Sequence, residues 1–330
     1  MAKKNRSTAA SRFSLSSVAT LLVVGFAERA VYLVPILTLA VMVGEPLAKL
    51  LRFPALRLAI GDIIASLNRK LNRTKRSTAT RLYRGMAALV MLLVPTLILA
   101  VLLMRPDGWV QLLTVILLVA LFGELLRPYQ LLRQRRAAKA GKLTLQSAEP
   151  HFLFPDTHAL LRYTILCAAD RVTLLIGASL YFLAFSIAGL LCYLMLAGAA
   201  RYYAPAHTGN RAFGWAAHAL FSLVNILPRA IAAVLNWLAA LFTPRTQPFT
   251  ALRHPRAARY THGWMAMLLN LSLGGPIPTA AGPATLPWIG RGTPKPEAIH
   301  LTRALQLVGL TLLLWVWMLA STIYLLPSVK

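Results

Sequence analysis

The sequence predicts an all-α, polytopic helical integral membrane protein with about six (five to six) transmembrane helices. Cytoplasmic amphipathic helices and one irregular loop rich in Pro and Gly complete the predicted fold. Hydrophobic residues make up 58% of the 330 residues, and the mean hydropathy is +0.62, values that place the chain among membrane proteins. Several apolar runs contain the roughly 20 residues that a helix needs to cross a bilayer. Lys and Arg number 35 against 9 Asp and Glu, and most of them lie between the apolar runs.

Six apolar runs are candidate spans. They lie at about 18–43, 84–104, 109–126, 172–199, 213–242 and 303–326. The first contains Glu28 and Arg29, which are costly in a bilayer unless they pair or lie near an interface. The alternating pattern typical of strands is absent, and no inverted repeat typical of transporters is visible. We therefore predict one membrane domain over 1–330, with a basic N-terminal tail at 1–17.

The distribution of basic residues predicts the orientation. If all six runs cross the bilayer, the segments 44–84, 127–171 and 243–302 share one side and contain 24 of the Lys and Arg residues. The opposite side contains only eight. Because cytoplasmic loops carry an excess of Lys and Arg, these three segments are predicted to be cytoplasmic and both termini external. The predicted location is the bacterial cytoplasmic (inner) membrane, with the lipid bilayer as the first partner.

The three long loops differ in character. The apolar residues of 55–72 repeat at helical spacing, which predicts an amphipathic helix on the membrane surface. The basic stretch 70–84 that follows is predicted to be a solvated hinge, and the second loop begins with a basic run at 127–142. The third loop, 243–302, is rich in Pro and Gly, as are functional or disordered loops.

The basic residues have two interpretations. They can hold the protein beside an anionic membrane, or some can converge into a pocket for a phosphorylated ligand. Nucleic-acid binding is not expected, because the basic residues form no separate soluble module. Cys167 and Cys192 fit no metal or redox spacing and are predicted to be small apolar packing residues.

Four motifs follow one another along the chain. They are Gly44-Glu45-Pro46; Phe213-Gly214-Trp215 with Asn225 and Pro228-Arg229; Met265-Ala266 with Leu273-Gly274-Gly275-Pro276; and Pro287-Trp288-Ile289-Gly290-Arg291-Gly292-Thr293. In this order the motifs resemble those of the CobD/CbiB family, the membrane-bound cobinamide-phosphate synthases of cobalamin biosynthesis. The resemblance extends from about residue 28 to residue 310.

The resemblance implies a reaction and a set of site residues. The reaction is ATP-dependent amide formation between adenosylcobyric acid, a corrinoid, and an aminopropanol or its phosphate, with Mg²⁺ as cofactor. Glu45 is the implied catalytic and metal-binding carboxylate, and Asp170 is a second catalytic candidate. The implied substrate-binding residues are Gly44, Pro46, Asn210, Phe213, Gly214, Trp215, Asn225, Arg229, His254, His262, Gly274, Gly275, Pro276, Trp288, Gly290 and Arg291.

The chain departs from the family at its acidic positions. An acidic family signature aligns with 169–174, where Asp170 is the only acid, and the aspartate of the Trp-Ile-Gly-Asp motif is replaced by Arg291. Since Mg²⁺ prefers carboxylate and other oxygen ligands, two hypotheses stay open. The first is a divergent synthase. The second is a scaffold or regulator similar to the AmpE proteins, which keeps the fold without the reaction or cofactors and acts through a membrane-protein partner or a homo-oligomer. The Gly-Gly-Pro motif likewise fits a tight turn at a helix end as well as a phosphate cradle.

Overall fold

The structure is a computed structural model that describes residues 29–40, 53–73, 75–104, 108–126, 157–203, 211–249, 261–279 and 282–325. The described chain is mostly helical, as predicted. Its elements are α1 (Arg29–Ala40), α2 (Phe53–Leu71), α3 (Thr78–Leu103), α4 (Gly108–Leu126), α5 (Thr157–Tyr202), α6 (Trp215–Val224), α7 (Ile226–Leu241), α8 (Thr261–Leu268), β1 (Leu273–Thr279), β2 (Gly282–Ile289) and α9 (Ala298–Leu325).

The central element is α5, which packs against α2, α3, α4, α6, α7, α8, α9 and β1. It is not one straight helix, because Phe185 and Ser186 have non-helical backbone angles. Arg201 contacts Asp170 at 3.3 Å, although 31 residues of straight helix would separate them by about 46 Å. We therefore describe α5 as a helical hairpin of two antiparallel arms, with its tip at Phe185-Ser186 and its base at Asp170 and Arg201.

The hairpin tip is held by Arg29, the first residue of α1. Nη1 of Arg29 donates hydrogen bonds to the carbonyls of Leu183 (2.7 Å) and Ala184 (2.8 Å). These carbonyls lie at the C-terminal end of the first arm, where a cation is favoured by the helix dipole. The predicted need of Arg29 for a partner is thus met by backbone carbonyls of α5.

The hairpin corrects the predicted span at 172–199. A single crossing would place the two ends of this segment on opposite sides of a bilayer, whereas the two arms return to the same end. The second arm, from about 187 to 202, is only about 24 Å long at 1.5 Å per residue, less than the roughly 30 Å of a hydrocarbon core. Apolar composition alone does not reveal such a reversal, and the turn contains neither Gly nor Pro.

The predicted span at 213–242 is also interrupted. It consists of α6 and α7, which meet at Asn225 with a bend of 52°. Pro228 explains the bend, because it has no N–H to donate to the carbonyl of Val224 and its ring crowds that carbonyl. The free carbonyl accepts a hydrogen bond from the Tyr181 hydroxyl instead (2.8 Å), so the polar group released by the proline is satisfied.

The hairpin of β1 and β2 contradicts the prediction that the chain contains no strands. The two strands are antiparallel, and their register runs from Leu273 opposite Ile289 to Thr279 opposite Gly282. Each strand contains two prolines and at least one glycine, residues that are depleted in strands and therefore conceal the pattern. The predicted turn at Gly274-Gly275-Pro276 is thus part of a strand, with an irregularity in the register between Leu273 and Gly275.

Within the described residues, three helices are long and apolar enough to cross a membrane: Thr78–Leu103, His158–Tyr202 and Ala298–Thr322. The bent pair α6 and α7 makes a fourth if it counts as one span. This supports a membrane protein and leaves the six predicted crossings unsupported, the more so because the second of the three helices folds back at its tip. On α3 the buried residues recur at helical spacing, from Gly85 to Ala100, and its opposite face exposes apolar side chains, as lipid-facing helices do.

Candidate functional site

A buried hydrogen bond marks the junction of α6 and α7. The Tyr193 hydroxyl donates to Oδ1 of Asn225 at 2.9 Å, and both residues are almost completely buried. The Tyr193 ring also stacks on Tyr181, with 5.0 Å between ring centroids. Polar groups at a break in an apolar helix are common at functional sites of membrane proteins, because they cost free energy elsewhere.

Arg229 lies one turn beyond Asn225, on α7. Among the described residues, its buried Nε atom has no hydrogen-bond partner. A partly buried guanidinium without a carboxylate is suited to bind an anionic ligand group.

A second polar group lies at the base of the α5 hairpin. Oδ2 of Asp170 is 3.3 Å from Nη2 of Arg201, and Oδ1 is 3.5 Å from Nε2 of His262. Asp170 was predicted as a catalytic residue and His262 as a substrate-binding residue from distant parts of the sequence, and the structure brings them into contact. The other ring nitrogen of His262, Nδ1, is buried without a partner.

These two groups lie along the same arm of α5, since Tyr193 and Arg201 are separated by about two helical turns. We call the six residues the polar track; its members are Asp170, Tyr193, Arg201, Asn225, Arg229 and His262. The track contains two arginines and one carboxylate, of which Arg201 and Asp170 are in contact, so it carries excess positive charge even when His262 is neutral.

A third group connects α5 with the β hairpin. Arg162 is 94% buried, since only 6% of its surface is exposed. Its Nη1 donates to the carbonyl of Pro294 at 2.7 Å, and its guanidinium carbon lies 5.3 Å from the Trp288 ring centroid. A Cβ atom on Gly275 would overlap the same tryptophan ring. The glycine therefore allows half-exposed Trp288 to lie flat against β1 beside a buried cation, as in cation–π pairs.

The Phe213-Gly214 motif has a packing role. The Phe213 ring contacts Tyr203 edge-on, with centroids 5.0 Å apart. A Cβ on Gly214 would overlap the backbone carbonyl of Tyr203, and one on Gly85 of α3 would overlap the carbonyl of Phe213. Burial raises the pKa of Tyr203 to about 12, so its hydroxyl stays protonated at neutral pH. The motif joins α3, α5 and α6.

The remaining predicted site residues fall into two classes. Trp215, Pro276 and Arg291 are exposed, and Gly290 adopts a φ of +102° in the turn after β2. Five predicted positions lie outside the described residues: Gly44, Glu45, Pro46, Asn210 and His254.

The described residues contain no group that resembles a magnesium site, and the predicted ligand Glu45 lies outside them. Among them there is no group of three or more His, Cys, Asp or Glu side chains that could hold a metal ion. The one acid of the polar track, Asp170, already faces Arg201 and His262. Because Mg²⁺ requires oxygen ligands arranged octahedrally, an Asp170 carboxylate neutralised in this way is a poor ligand.

Three residues of these groups were missed by the sequence analysis: Arg162, Tyr193 and Arg201. Each lies within or at the end of an apolar helix that resembles a membrane span. A charged residue in such a helix is a recognisable signal for a functional position, and Arg162 lies two helical turns before Asp170. Tyr193 carries no comparable signal, since an isolated tyrosine in an apolar run is ordinary.

Comparisons of the chain with family models, with curated proteins and with solved structures found no match. The resemblance to the CobD/CbiB family therefore stays a prediction based on the chain's own motifs.

Proposed function

We propose that the protein is a divergent cobalamin-biosynthesis protein of the bacterial inner membrane, of the cobinamide-phosphate synthase type. The supporting observation is that motif residues distant in sequence meet along the α5 hairpin. Asp170 contacts His262 at its base, Asn225 bonds to Tyr193 on its second arm, and Trp288 lies over Arg162 on its first arm.

In this proposal the polar track binds the acidic end of the substrate. Arg229 supplies a charge-assisted donor to a carboxylate or phosphate, and the Tyr193–Asn225 bond fixes the geometry at the bend beside it. His262 has one free buried nitrogen and a carboxylate on its other nitrogen, an arrangement that orients an imidazole for proton transfer. Although the reaction type uses ATP and Mg²⁺, the described residues do not form a site for the metal, and we derive no metal-dependent step.

A complementation experiment tests the proposal. A bacterial strain that lacks its cobinamide-phosphate synthase is given this protein, and corrinoid amides are quantified by mass spectrometry. We expect product from the wild type and a loss of about tenfold to a hundredfold for Arg229→Ala, because charge-assisted hydrogen bonds contribute about 1.5–3 kcal/mol. Arg245→Ala is the matched control, since Arg245 is exposed and is not a member of the polar track. The absence of product from well-expressed wild-type protein contradicts the proposal.

A second candidate function is a scaffold or regulator that has kept the fold and lost the reaction. The observation in its favour is the pairing of Asp170 with Arg201 and His262, which occupies the one acid of the polar track. This candidate predicts that purified protein forms no corrinoid amide with Mg²⁺-ATP and the substrates, and that it is recovered from membranes with a stable protein partner or as a homo-oligomer. Turnover by the purified protein excludes it.

A further inference from the structure

The corner between α2 and α3 is the most strongly basic part of the described chain. Seven Lys and Arg residues occur within sixteen positions, and no acid lies between Asp62 and Asp107. We call this surface the α2–α3 corner; its members are Arg69, Lys70, Arg73, Lys75, Arg76, Arg81 and Arg84. Within the part of the chain that the structure describes, none of these seven side chains forms an ion pair.

The corner is ordered, in contrast to the solvated hinge predicted at 70–84. Nε of Arg81 donates to Oδ1 of Asn72 at 3.0 Å, and Nη1 of Arg84 reaches the carbonyl of Leu71 at 3.5 Å. The backbone N–H of Arg76 donates to the carbonyl of Arg73 at 3.1 Å. These bonds join the end of α2 to the beginning of α3, so the basic residues of both helices lie at one corner of the molecule.

The corner keeps donors available for a ligand. Arg69, Lys70, Arg73, Lys75 and Arg76 are exposed. The Ser77 side chain caps α3 by accepting the N–H of Thr80, so the positive end of the α3 dipole lies at the same corner. Seven cations beside a helix N-terminus repel one another, and an anion placed there relieves this repulsion.

An exposed apolar face begins directly beside the basic residues. On α3, Tyr83, Met86, Val90, Met91 and Val94 are between 38% and 65% exposed. The exposed face continues to Leu102, which is about 28 Å along the helix from Tyr83 at 1.5 Å per residue. A cationic corner at the end of a long apolar face matches the two chemical parts of a phospholipid, the phosphate head group and the acyl chains.

We propose that the α2–α3 corner binds the phosphodiester head group of an anionic phospholipid, whose acyl chains lie along the exposed face of α3. The exposed residues Arg73, Lys75 and Arg76 contact the phosphate, while Arg81 and Arg84 join the two helices through their bonds to α2. A soluble phosphate compound would use the same cations but leave the α3 face uncovered. Nucleic acid would not explain the apolar face either. The inference depends on membrane insertion of α3 and is independent of the proposed corrinoid reaction.

Lipid binding to the purified protein in detergent tests this site. The probes are phosphatidylglycerol, the uncharged control lipid phosphatidylcholine, and inorganic phosphate. Native mass spectrometry counts bound lipids, and the change in thermal unfolding temperature reports their effect on the folded protein. The test variant is R73Q/K75Q/R76Q, which changes only exposed side chains and leaves the bonds of Arg81 and Arg84 intact. The matched control R211Q/R245Q/K295Q removes the same charge from exposed positions elsewhere.

The proposal predicts a selective loss. Phosphatidylglycerol binds the wild type and the control variant and raises their unfolding temperature. Its affinity for the corner variant falls at least about tenfold, since three basic residues that attract the anionic head group are removed. Equal losses in both variants, or equal binding of phosphatidylcholine, overturn it. Stabilisation by inorganic phosphate as strong as by phosphatidylglycerol assigns the corner to a soluble anion and also overturns it. Corrinoid production by the corner variant is expected to be unchanged, so the two proposals fail separately.

Discussion

Gly275 has a φ of +75°, and a Cβ atom at this position would overlap the Trp288 ring. Both features disfavour any other residue, because L side chains rarely adopt this conformation and the ring is held between β1 and Arg162. We expect Gly275→Ala to lower the free energy of unfolding by about 1–3 kcal/mol. The measurement is thermal unfolding of the purified protein in detergent.

Gly309 provides the matched control for Gly275. It lies inside α9, and a Cβ atom added there meets nothing within 4 Å. Gly309→Ala should therefore stabilise the protein by roughly 0.5–1 kcal/mol, since alanine favours a helix interior over glycine. Equal effects of the two substitutions would show that Gly275 is not under the steric constraint described here.

The Tyr193–Asn225 bond makes a second prediction at the residue scale. Tyr193→Phe removes the hydroxyl and leaves Oδ1 of Asn225 buried without its donor, which should cost about 1–3 kcal/mol. Asn225→Leu alone should also destabilise, because the Tyr193 hydroxyl then loses its acceptor. The double variant should be less destabilised than the sum, with a coupling of about 1 kcal/mol in thermal unfolding. Additive effects would indicate that the 2.9 Å contact contributes no stability.

At the scale of elements, the α5 hairpin is open to a direct distance measurement. The chain contains only two cysteines, Cys167 on the first arm and Cys192 on the second. Residue 192 lies opposite about residue 178 in the hairpin, which is about 16 Å along the axis from Cys167. With one helix spacing between the arms, the two cysteines are about 20 Å apart. A straight helix would separate them by about 38 Å.

Spin labels on the two native cysteines distinguish these distances by double electron–electron resonance. We expect a distribution centred near about 20 Å. Replacement of Arg29 by Gln should broaden it, because the Leu183 and Ala184 carbonyls lose their donor at the tip. A wild-type distribution centred near about 38 Å would rule out the hairpin and restore the single predicted span.

The same element shows what sequence patterns can and cannot give. Length and hydropathy located α3, α4 and α9 within a few residues of the predicted spans, because a long apolar run has few alternatives to a helix. The reversal at Phe185-Ser186 has no Gly or Pro to mark it, and the bend at Asn225 is marked only by Pro228 three residues later. The strands β1 and β2 carry prolines that normally exclude strands. Each of these features depends on contacts with other elements, which periodicity does not record.

For the whole molecule, the candidate site was partly predictable. The resemblance predicted Asp170, His262, Gly275 and Trp288 as site residues. In the structure Asp170 contacts His262, and Gly275 contacts Trp288. Their meeting along α5 could not be derived from spacing, because 92 residues separate Asp170 from His262. Arg162 and Arg201 complete these groups through tertiary contacts alone. Sequence therefore supplied the candidate residues, and packing decided which of them form a site.

The hairpin also changes the predicted sidedness of the molecule, and this is testable. Phe213 packs on Tyr203 at the base of the hairpin, so Arg211 belongs to that end. Pro294 is bonded to Arg162 near the start of the same helix, which places Lys295 at the same end. The arrangement of six crossings instead puts 200–212 outside and 243–302 in the cytoplasm.

In a background with Cys167→Ala and Cys192→Ala, we expect Arg211→Cys and Lys295→Cys to react with a membrane-impermeant maleimide from the same side. Intact spheroplasts and opened membranes give the two sides, and an unmodified double-alanine variant controls for background. Labelling of the two positions from opposite sides would show that the segment between them crosses the bilayer an odd number of times. The contacts of Phe213 with Tyr203 and of Pro294 with Arg162, which place both positions at the same end of α5, do not allow this.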